Sequence, residues 1–328
     1  MVGVLSCLSS LLRSLYKRAQ DALQASTSVS NTLPVKQVGA NVKTFKPGDS
    51  VILSFSSCQT CRACLSGRAP YCKYLLDLNF SSQRLVPGYA ASPSNAPTTS
   101  TNPATDKDGN HLNSFFFGQS SMSRLVLCHE NGAVKVDCSR EDLVKFSALG
   151  CGIQTGAGCV WNVMNPAVGS SIVIFGAGAV GLSAAFISKL YSPRQLILVD
   201  VSAEKLANLP KDHGATQVID SSKLGKGELV SKLMELTDGE GVEYVIDAVG
   251  NPFVLKDGHA AMAKGGTIVT LGGIMKECSI LINDHLVKGG TWRGTHQGDS
   301  VPRVMIPKMI QAWREGESSR AVVSWRLY

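Results

Sequence analysis

Long apolar runs are missing from this sequence of 328 residues. No stretch approaches the roughly 18 apolar residues that a membrane-spanning helix needs, so we expect no membrane segment. The chain carries a net charge of +7, but its basic residues are scattered singly, without the runs or interleaved aromatics typical of nucleic-acid binding. We therefore expect a soluble globular protein that has neither nucleic acid nor a membrane as its partner.

Acidic side chains are absent from the first twenty residues, which contain Arg13, Lys17 and Arg18. This composition is compatible with a mitochondrial presequence, whereas Arg13 interrupts the apolar part that a secretory signal would need. Ten cysteines in a long chain, four of them closely spaced, favour a reducing compartment and a bound metal over disulfide bonds. We expect a cytoplasmic protein, with a mitochondrial one as the alternative.

A glycine pattern between two apolar runs is the clearest motif of the sequence. Gly176-x-Gly178-x-x-Gly181 follows residues 172–175, which have strand character, and opens a segment rich in Ala and Leu that predicts a helix. Gly176 would permit a tight turn, Gly178 would let the backbone approach a pyrophosphate, and Gly181 would let the helix pack on its strand. The pattern predicts a dinucleotide site; a glycine-rich turn without a ligand is the alternative.

The second apolar run, 196–199, ends on Asp200, about twenty residues beyond the last glycine, where a dinucleotide-binding fold places an acidic residue. A carboxylate here would accept a hydrogen bond from the 2′-hydroxyl of the adenosine ribose and would repel a 2′-phosphate. The sequence therefore predicts NAD rather than NADP, a preference that the nearby Lys205 weakens slightly.

Four cysteines lie within fifteen residues, in the pattern Cys58-x2-Cys61-x2-Cys64-x7-Cys72. Four thiolates suit tetrahedral Zn²⁺, and a site closed by four cysteines leaves no position for substrate, which indicates a structural metal. An iron–sulfur cluster is the rival interpretation, but the bacterial cluster motif ends with a gap of three residues, not seven. The spacing predicts zinc.

Two further segments leave alternatives open. Cys151, framed by Gly150 and Gly152, is either a functional thiol or a buried cysteine beside a tight turn. Residues 111–117 have strand character, and the run Phe115 to Phe117 either lines a substrate pocket or belongs to the core. After Asp200, strands and helices alternate through about six strands, which predicts a parallel, doubly wound sheet.

Together these motifs resemble the zinc-containing medium-chain alcohol dehydrogenase family, most closely its aryl-alcohol (benzyl alcohol) branch. The resemblance rests on VGANVKTFKPGDSVILSF, the four-cysteine lobe, GCGIQTGAG, GAGAVG with its later Asp, and DAVG, and it covers about residues 35–316. It implies an α/β fold in which a Rossmann doubly wound parallel sheet accompanies an incomplete GroES-like β domain with a zinc lobe. The expected domains are a partial GroES-like domain at 34–150 and a Rossmann domain at 151–300.

The resemblance also implies roles for individual residues. Cys58, Cys61, Cys64 and Cys72 would hold the structural zinc, and Cys151 would be a catalytic residue that binds a catalytic zinc. The cofactor-binding positions would be Thr155, Gly176, Gly178, Ala179, Val180, Gly181, Asp200, Lys205, Val249 and Gly272.

The sequence departs from the family upstream of VGANV. A Cys-x-Ser/Thr-Asp motif and a Gly-His-Glu motif are absent there, so two catalytic-zinc ligands are missing, and the pair His129-Glu130 lies elsewhere. Residues 1–33 are expected to be a segment that is unrelated to the family or that results from an error in the gene prediction. Residues 301–328 are expected to be a truncated C-terminal segment with one amphipathic helix.

The resemblance implies hydride transfer between a primary, aryl alcohol and NAD, with an alcohol or aldehyde as the small-molecule partner, in a homo-oligomer. The alternative is a catalytically incomplete protein that binds NAD and a structural zinc.

Overall fold

The computed structural model describes residues 32–80, 106–110, 116–119, 125–211, 213–273 and 276–314. The predicted presequence, Phe115 and the last fourteen residues lie outside this part of the chain. Within it, no helix combines the length and the apolar character that crossing a lipid bilayer requires.

The smaller part of the fold is an antiparallel sheet of three short strands, β1 (Thr32–Pro34), β2 (Ser50–Leu53) and β3 (Ala133–Lys135), in the order β1-β2-β3. Ile52 of the central strand lies opposite Thr32 on one side and Val134 on the other. Asp49 directly precedes this strand and is held by Lys135, whose Nζ lies 2.8 Å from its carboxylate. Because Ile52 is fully buried, the sheet joins the main core of the molecule.

The four-cysteine lobe follows β2 and contains α1 (Arg62–Leu65), a 3-10 turn (Ala69–Tyr71) and α2 (Leu75–Phe80). Asn79 of α2 is fully buried and ties the lobe to the chain that leaves β2. Its side chain accepts a hydrogen bond from the Ser56 N–H (2.7 Å) and donates one to the Ser56 carbonyl (2.9 Å). These hydrogen bonds therefore hold the two ends of the lobe together.

The predicted strand at 111–117 is wrong for its last two residues, the part of it that the structure describes. Phe116–Gly118 form a 3-10 turn in which Phe117 and Gly118 have φ values of +58° and +71°. Gly118 passes close to the lobe, since a Cβ there would lie 2.9 Å from the Leu78 carbonyl oxygen. The sharp turn places Phe117 in a buried position beside Phe55.

A continuous helical segment connects the two parts of the fold, and it contains no tight turn at Cys151. It begins with α3 (Arg140–Lys145), which Ser139 caps, and runs through a π turn (Leu149–Ile153), α4 (Gln154–Gly158) and a second π turn (Cys159–Met164). The glycines serve close packing instead. A Cβ at Gly150 would lie 2.0 Å from the Leu53 carbonyl oxygen, and one at Gly156 would lie 2.0 Å from that of Val180.

Among the described residues, the larger part is a sheet of six strands: β4 (Ser171–Phe175), β5 (Gln195–Asp200), β6 (Gln217–Asp220), β7 (Val242–Asp247), β8 (Met262–Thr270) and β9 (Thr291–Gly294). Every strand pair is parallel, and the strand order is β6-β5-β4-β7-β8-β9. This order confirms the predicted doubly wound fold, with its switch point between β4 and β7. The helices of this part are α5 (Ala179–Lys189), α6 (Ala203–Ala207), α7 (Glu228–Glu235), α8 (Pro252–Ala261), α9 (Ile282–Lys288) and α10 (Pro302–Arg314).

The central strand β4 is buried on both faces, which explains its continuous apolar run. Ile172 and Ile174 belong to the core cluster on one face, and Val173 and Phe175 to the cluster on the other. The first cluster also contains residues of β2, β3 and α10. One hydrophobic core therefore spans the small sheet, the connecting helices and one face of the large sheet.

Candidate functional site

The glycine turn between β4 and α5 has the geometry of a phosphate cradle. Gly176 has a φ of +100°, and its N–H donates to the Val199 carbonyl at 2.7 Å. A Cβ at Gly181 would lie 1.8 Å from the Gly176 carbonyl oxygen, so only glycine allows α5 to start so close to the turn. By contrast, no atom of the described residues lies within 4 Å of a Cβ at Gly178, and the backbone there faces open space at a helix N-terminus.

Asp200 ends β5 beside this turn and is largely buried. Its two carboxylate oxygens accept hydrogen bonds from the N–H groups of Ala177 (2.7 Å) and Ser202 (2.8 Å), and the Lys205 Nζ lies 3.6 Å from Oδ2. A carboxylate has about four lone-pair positions, so capacity for a ribose hydroxyl is left. The predicted ribose-binding residue is thus held rigidly against the glycine turn.

The loops after β7 and β8 form the opposite wall of the cleft. A Cβ at Gly272 would lie 2.1 Å from the Gly250 nitrogen, which shows how tightly the two loops pack. Val249 is partly exposed, and its side chain would lie 3.0 Å from a Cβ at Gly176. Val249 and Gly272 therefore lie at the switch point, where doubly wound sheets bind their ligands.

Asp247 holds the turn that presents Val249. Its Oδ1 accepts hydrogen bonds from the N–H groups of Val249 (3.0 Å) and Gly250 (2.7 Å), while its buried Oδ2 has no hydrogen-bond partner in the described part of the chain. Burial raises the pKa of Asp247 above its ordinary value, and the two N–H groups oppose this shift. Through these two hydrogen bonds, the carboxyl group holds the loop after β7 in its turn conformation.

The connecting helices bring Cys151 and Thr155 to the same cleft. The Thr155 hydroxyl donates to the Cys151 carbonyl at 2.8 Å. A Cβ at Gly152 would lie 3.7 Å from the side chains of Ala179 and Val180, the first residues of α5. The structure thus brings Cys151 and Thr155 close to the start of α5, where the predicted cofactor positions Ala179 and Val180 lie.

Sequence reasoning missed Gln297, which lies in the 3-10 turn after β9 (Gln297–Asp299). Its Nε2 lies 3.9 Å from the Cys151 Sγ, and its Oε1 is 3.4 Å from the Thr155 hydroxyl and 3.2 Å from the Gln154 Nε2. The Gly298-Asp299 pair was the available signal, since it marks a turn directly after the last predicted strand.

An aromatic cluster lies beside Cys151. Phe55 and Phe117 are buried and meet edge to face at 6.5 Å, and Cys151 packs on the same cluster. The His296 ring lies 6.5 Å from Phe55 and 6.2 Å from Phe80, also edge to face. Its buried Nδ1 has no hydrogen-bond partner among the residues that the structure describes, and burial lowers the pKa of His296 below its ordinary value. Sequence reasoning did not identify His296.

The four predicted zinc ligands come together as one cluster, in which all four sulfur atoms lie within 4.8 Å of one another. The Cys64 Sγ lies 3.5 Å from that of Cys61 and 3.9 Å from that of Cys58. Tetrahedral Zn²⁺ with Zn–S bonds of about 2.3 Å requires sulfur–sulfur distances of about 3.8 Å. The spacing fits a zinc ion without rearrangement.

Backbone N–H groups point at these sulfur atoms, as a thiolate cluster requires. The Cys61 N–H lies 3.3 Å from the Cys58 Sγ, and the Lys73 N–H lies 3.5 Å from the Cys61 Sγ. Burial works against ionisation of Cys61, but the N–H groups of Lys73 and Cys64 outweigh it and lower the pKa of this thiol to about 6. These hydrogen bonds therefore favour the thiolate form of Cys61, whereas burial raises the pKa values of Cys64 and Cys72.

The described residues do not provide a second metal site of this kind. They contain one group of three or more potential His, Cys, Asp or Glu ligands, and that group is the lobe. Cys151 instead faces the Gln297 amide and the aromatic cluster, and burial raises the pKa of its thiol. The set of residues around Cys151 in this part of the chain does not fit a catalytic zinc.

Two family models match the chain. Residues 34–137 match the alcohol dehydrogenase GroES-like domain, and residues 179–314 match the zinc-binding dehydrogenase domain. The first match covers the small sheet and the lobe, and the second covers most of the Rossmann sheet.

Proteins from several bacteria are similar over most of the chain. Geraniol dehydrogenase from Castellaniella defragrans is 34% identical over 285 residues, which are 86% of this chain and 72% of the relative. The crystal structure of benzyl alcohol dehydrogenase from Acinetobacter calcoaceticus superposes with a TM-score of 0.73 at 32% identity, over 88% of this chain and 73% of that one. An alcohol dehydrogenase zinc-binding domain protein from Burkholderia ambifaria gives 0.74 at 35% identity, with the same coverage.

Proposed function

Because this chain belongs to the zinc-dependent medium-chain alcohol dehydrogenase family, we propose that it transfers a hydride between a primary, aryl alcohol and NAD. The observation that carries this proposal is the cleft at the switch point. There Gly178 faces open space at the start of α5, with Asp200 beside it and Val249 across from it.

The residues of the cleft support NAD. Gly178 and the N-terminal N–H groups of α5 suit a pyrophosphate, and Asp200 suits a ribose with a free 2′-hydroxyl. When bound, the cofactor supplies the ring that accepts the hydride. Thr155 and Val249 would then position that ring, as the family resemblance implies.

The aromatic cluster supports an aryl substrate. Phe55 and Phe80 meet the His296 ring edge to face, and Phe117 packs against both phenylalanines in the cluster on which Cys151 also packs. Edge-to-face contacts favour a ring in such surroundings over an aliphatic chain of similar area. The relatives named for benzyl alcohol and for geraniol agree with a hydrophobic primary alcohol.

Oxidation of the alcohol also releases a proton, which needs an acceptor. Burial raises the pKa of the Cys151 thiol and lowers that of the His296 imidazole, so at neutral pH both groups are uncharged. A neutral imidazole can accept a proton, whereas a protonated thiol cannot. His296 is therefore the base on this cluster that suits the reaction. No step runs through a zinc at Cys151, because the described residues do not fit one.

Turnover and cofactor binding test this function separately. Purified protein is expected to bind NADH, followed by fluorescence, and to form NADH from benzyl alcohol, with NAD preferred to NADP. His296→Gln is expected to bind NADH normally while the turnover number falls, and Phe116→Leu on the exposed edge of the cluster serves as the control. Absence of NADH binding would contradict the proposed dinucleotide site. NADH binding without turnover would favour the alternative, a catalytically incomplete protein, which the family relatives do not favour.

A homo-oligomer also forms part of the proposal. Among the described strands, β9 pairs with β8 alone and ends the sheet. The segment before it, containing α9, exposes Leu281, Ile282, Leu286 and Val287. An open strand edge next to exposed apolar side chains favours pairing with a second copy. Sedimentation should show at least a dimer, and Leu286→Lys should shift it toward the monomer; a monomeric parent protein would contradict this.

A further inference from the structure

One hydrogen bond links the four-cysteine lobe to the Rossmann part of the fold. Tyr71 lies in the lobe, directly before the ligand Cys72, and its hydroxyl donates to the Asp299 Oδ1 at 2.6 Å. Asp299 lies in the Gln297–Asp299 turn after β9, 228 residues away along the chain. The contact therefore joins two parts of the molecule that meet only in the folded state.

Asp299 is fixed from its own side of the fold. The Thr295 hydroxyl donates to the same Oδ1 at 2.5 Å, and the Arg293 guanidinium pairs with Oδ2. Both partners come from β9 or the chain just after it. The carboxylate is thus a preset acceptor on the Rossmann part, and Tyr71 brings the lobe to it.

The turn that carries Asp299 packs against α4 without free space. A Cβ at Gly298 would lie 2.4 Å from the Thr155 carbonyl oxygen, and one at Gly158 would lie 2.3 Å from the Gly298 carbonyl oxygen. The Asn162 side chain also donates to the Gly298 carbonyl at 3.0 Å. A displacement of the turn must therefore move either α4 or the side chains between them.

Gln297 is the side chain through which the turn reaches the cleft. Its amide contacts the Cys151 sulfur and accepts hydrogen bonds from Thr155 and Gln154. These contacts lie at the end of the site that we assign to the nicotinamide. The residue that we assign to the adenosine ribose, Asp200, contacts the glycine turn before α5 and the first turn of α6 instead.

We propose that Tyr71 is a positioning residue that couples the cysteine lobe to the nicotinamide end of the cofactor site, through Asp299 and the Gln297 turn. The proposal rests on the dinucleotide site proposed above. It makes the lobe more than a structural support, because an ordered lobe then sets the placement of Thr155 and Cys151. It also predicts an asymmetry, since the described hydrogen bonds and ion pair of Asp200 at the adenosine end lie outside this path.

The experiment compares two ligands on the full chain. NADH engages both ends of the site, whereas ADP-ribose lacks the nicotinamide. Tyr71→Phe is expected to weaken NADH binding about three- to tenfold, the effect of losing one hydrogen bond to a charged group in a partly exposed position. ADP-ribose binding and the zinc content should stay unchanged. Tyr74→Phe removes a hydroxyl from the same lobe and is the matched control, with NADH binding as in the parent.

Asp299→Ala, which removes the acceptor of the Tyr71 hydroxyl, provides a second variant on the Rossmann side, away from the cysteines. If both changes act through the same bond, the double variant should bind NADH about as weakly as either single variant. Parent-like NADH affinity in a zinc-loaded Tyr71→Phe protein, or an equal loss for NADH and ADP-ribose, overturns the coupling. Should Tyr71→Phe lose zinc, parent-like NADH affinity in zinc-loaded Asp299→Ala overturns it. Failure of the unmodified protein to bind either ligand contradicts the proposed function instead.

Discussion

Gly178 and Gly181 lie three residues apart in the glycine turn, but their backbones face different surroundings. We expect Gly178→Val to abolish NADH binding, because its side chain would fill the open space at the cradle, while the unfolding midpoint changes little. Gly181→Ala should instead destabilise the protein, since its Cβ would lie 1.8 Å from the Gly176 carbonyl oxygen. NADH titration and urea unfolding of both variants check this. Equal loss of stability in the two would contradict the assignment of Gly178 to the ligand.

Asp247 should make the stability depend on pH. Because burial raises its pKa above the ordinary value of 3.8, the folded state holds this proton more tightly than the unfolded state does. Its contribution is therefore fully present at low pH and is lost as the pH rises through the folded pKa.

Asp247→Asn keeps an acceptor for Val249 and Gly250 but does not titrate. As the pH rises from below the ordinary value of 3.8 through the raised pKa of the folded state, the parent protein should lose stability relative to this variant. Urea unfolding across that range measures the difference. A difference that stays constant with pH would mean that the pKa of Asp247 is the same in the folded and the unfolded protein.

At the scale of elements, we expect the lobe to depend on a bound metal for its form, because its two helices and its turn are too short to be stable alone. Cys61→Ser should therefore lower the zinc content by one ion per chain and expose the lobe to proteolysis. Cys128→Ser, which changes a cysteine outside the lobe, is the control and should retain the zinc. Full zinc content in Cys61→Ser would contradict the assignment of the site.

The connecting helices show where prediction at this scale fails. The glycines around Cys151 suggested a tight turn, because glycine is most often required by left-handed backbone. Gly150, Gly156 and Gly158 are required by close contact instead, with β2, α5 and the Gln297 turn respectively. That need arises from chain segments distant in sequence, which no local pattern reveals.

For the whole molecule, the shared core predicts that the two parts unfold together. Ile310 of α10 is buried in the cluster that also contains Ile52 of the small sheet and Ile174 of the large one. Ile310→Ala should cost about 2–5 kcal/mol, and tryptophan fluorescence and zinc release should shift to lower urea together. Val304→Ala, on the exposed face of the same helix, is the control. Separate transitions for the two probes would show independent parts.

The sequence by itself determined the strand-glycine-helix-strand unit that ends on Asp200, the four-cysteine lobe and the parallel sheet. Each of these depends on spacing along the chain, through turn geometry, ligand separation or hydrophobic period, so a local pattern is sufficient evidence. The roles given to individual cofactor residues stay predictions.

Only the tertiary structure decided which side chains surround Cys151. Gln297 and His296 follow the last strand of the sheet, about 145 residues beyond Cys151, and reach it because strand order places that turn against α4. The Tyr71–Asp299 bond joins the lobe to the same turn. Such contacts follow from the packing of whole elements on one core, and the residues that make them have no common pattern in the sequence.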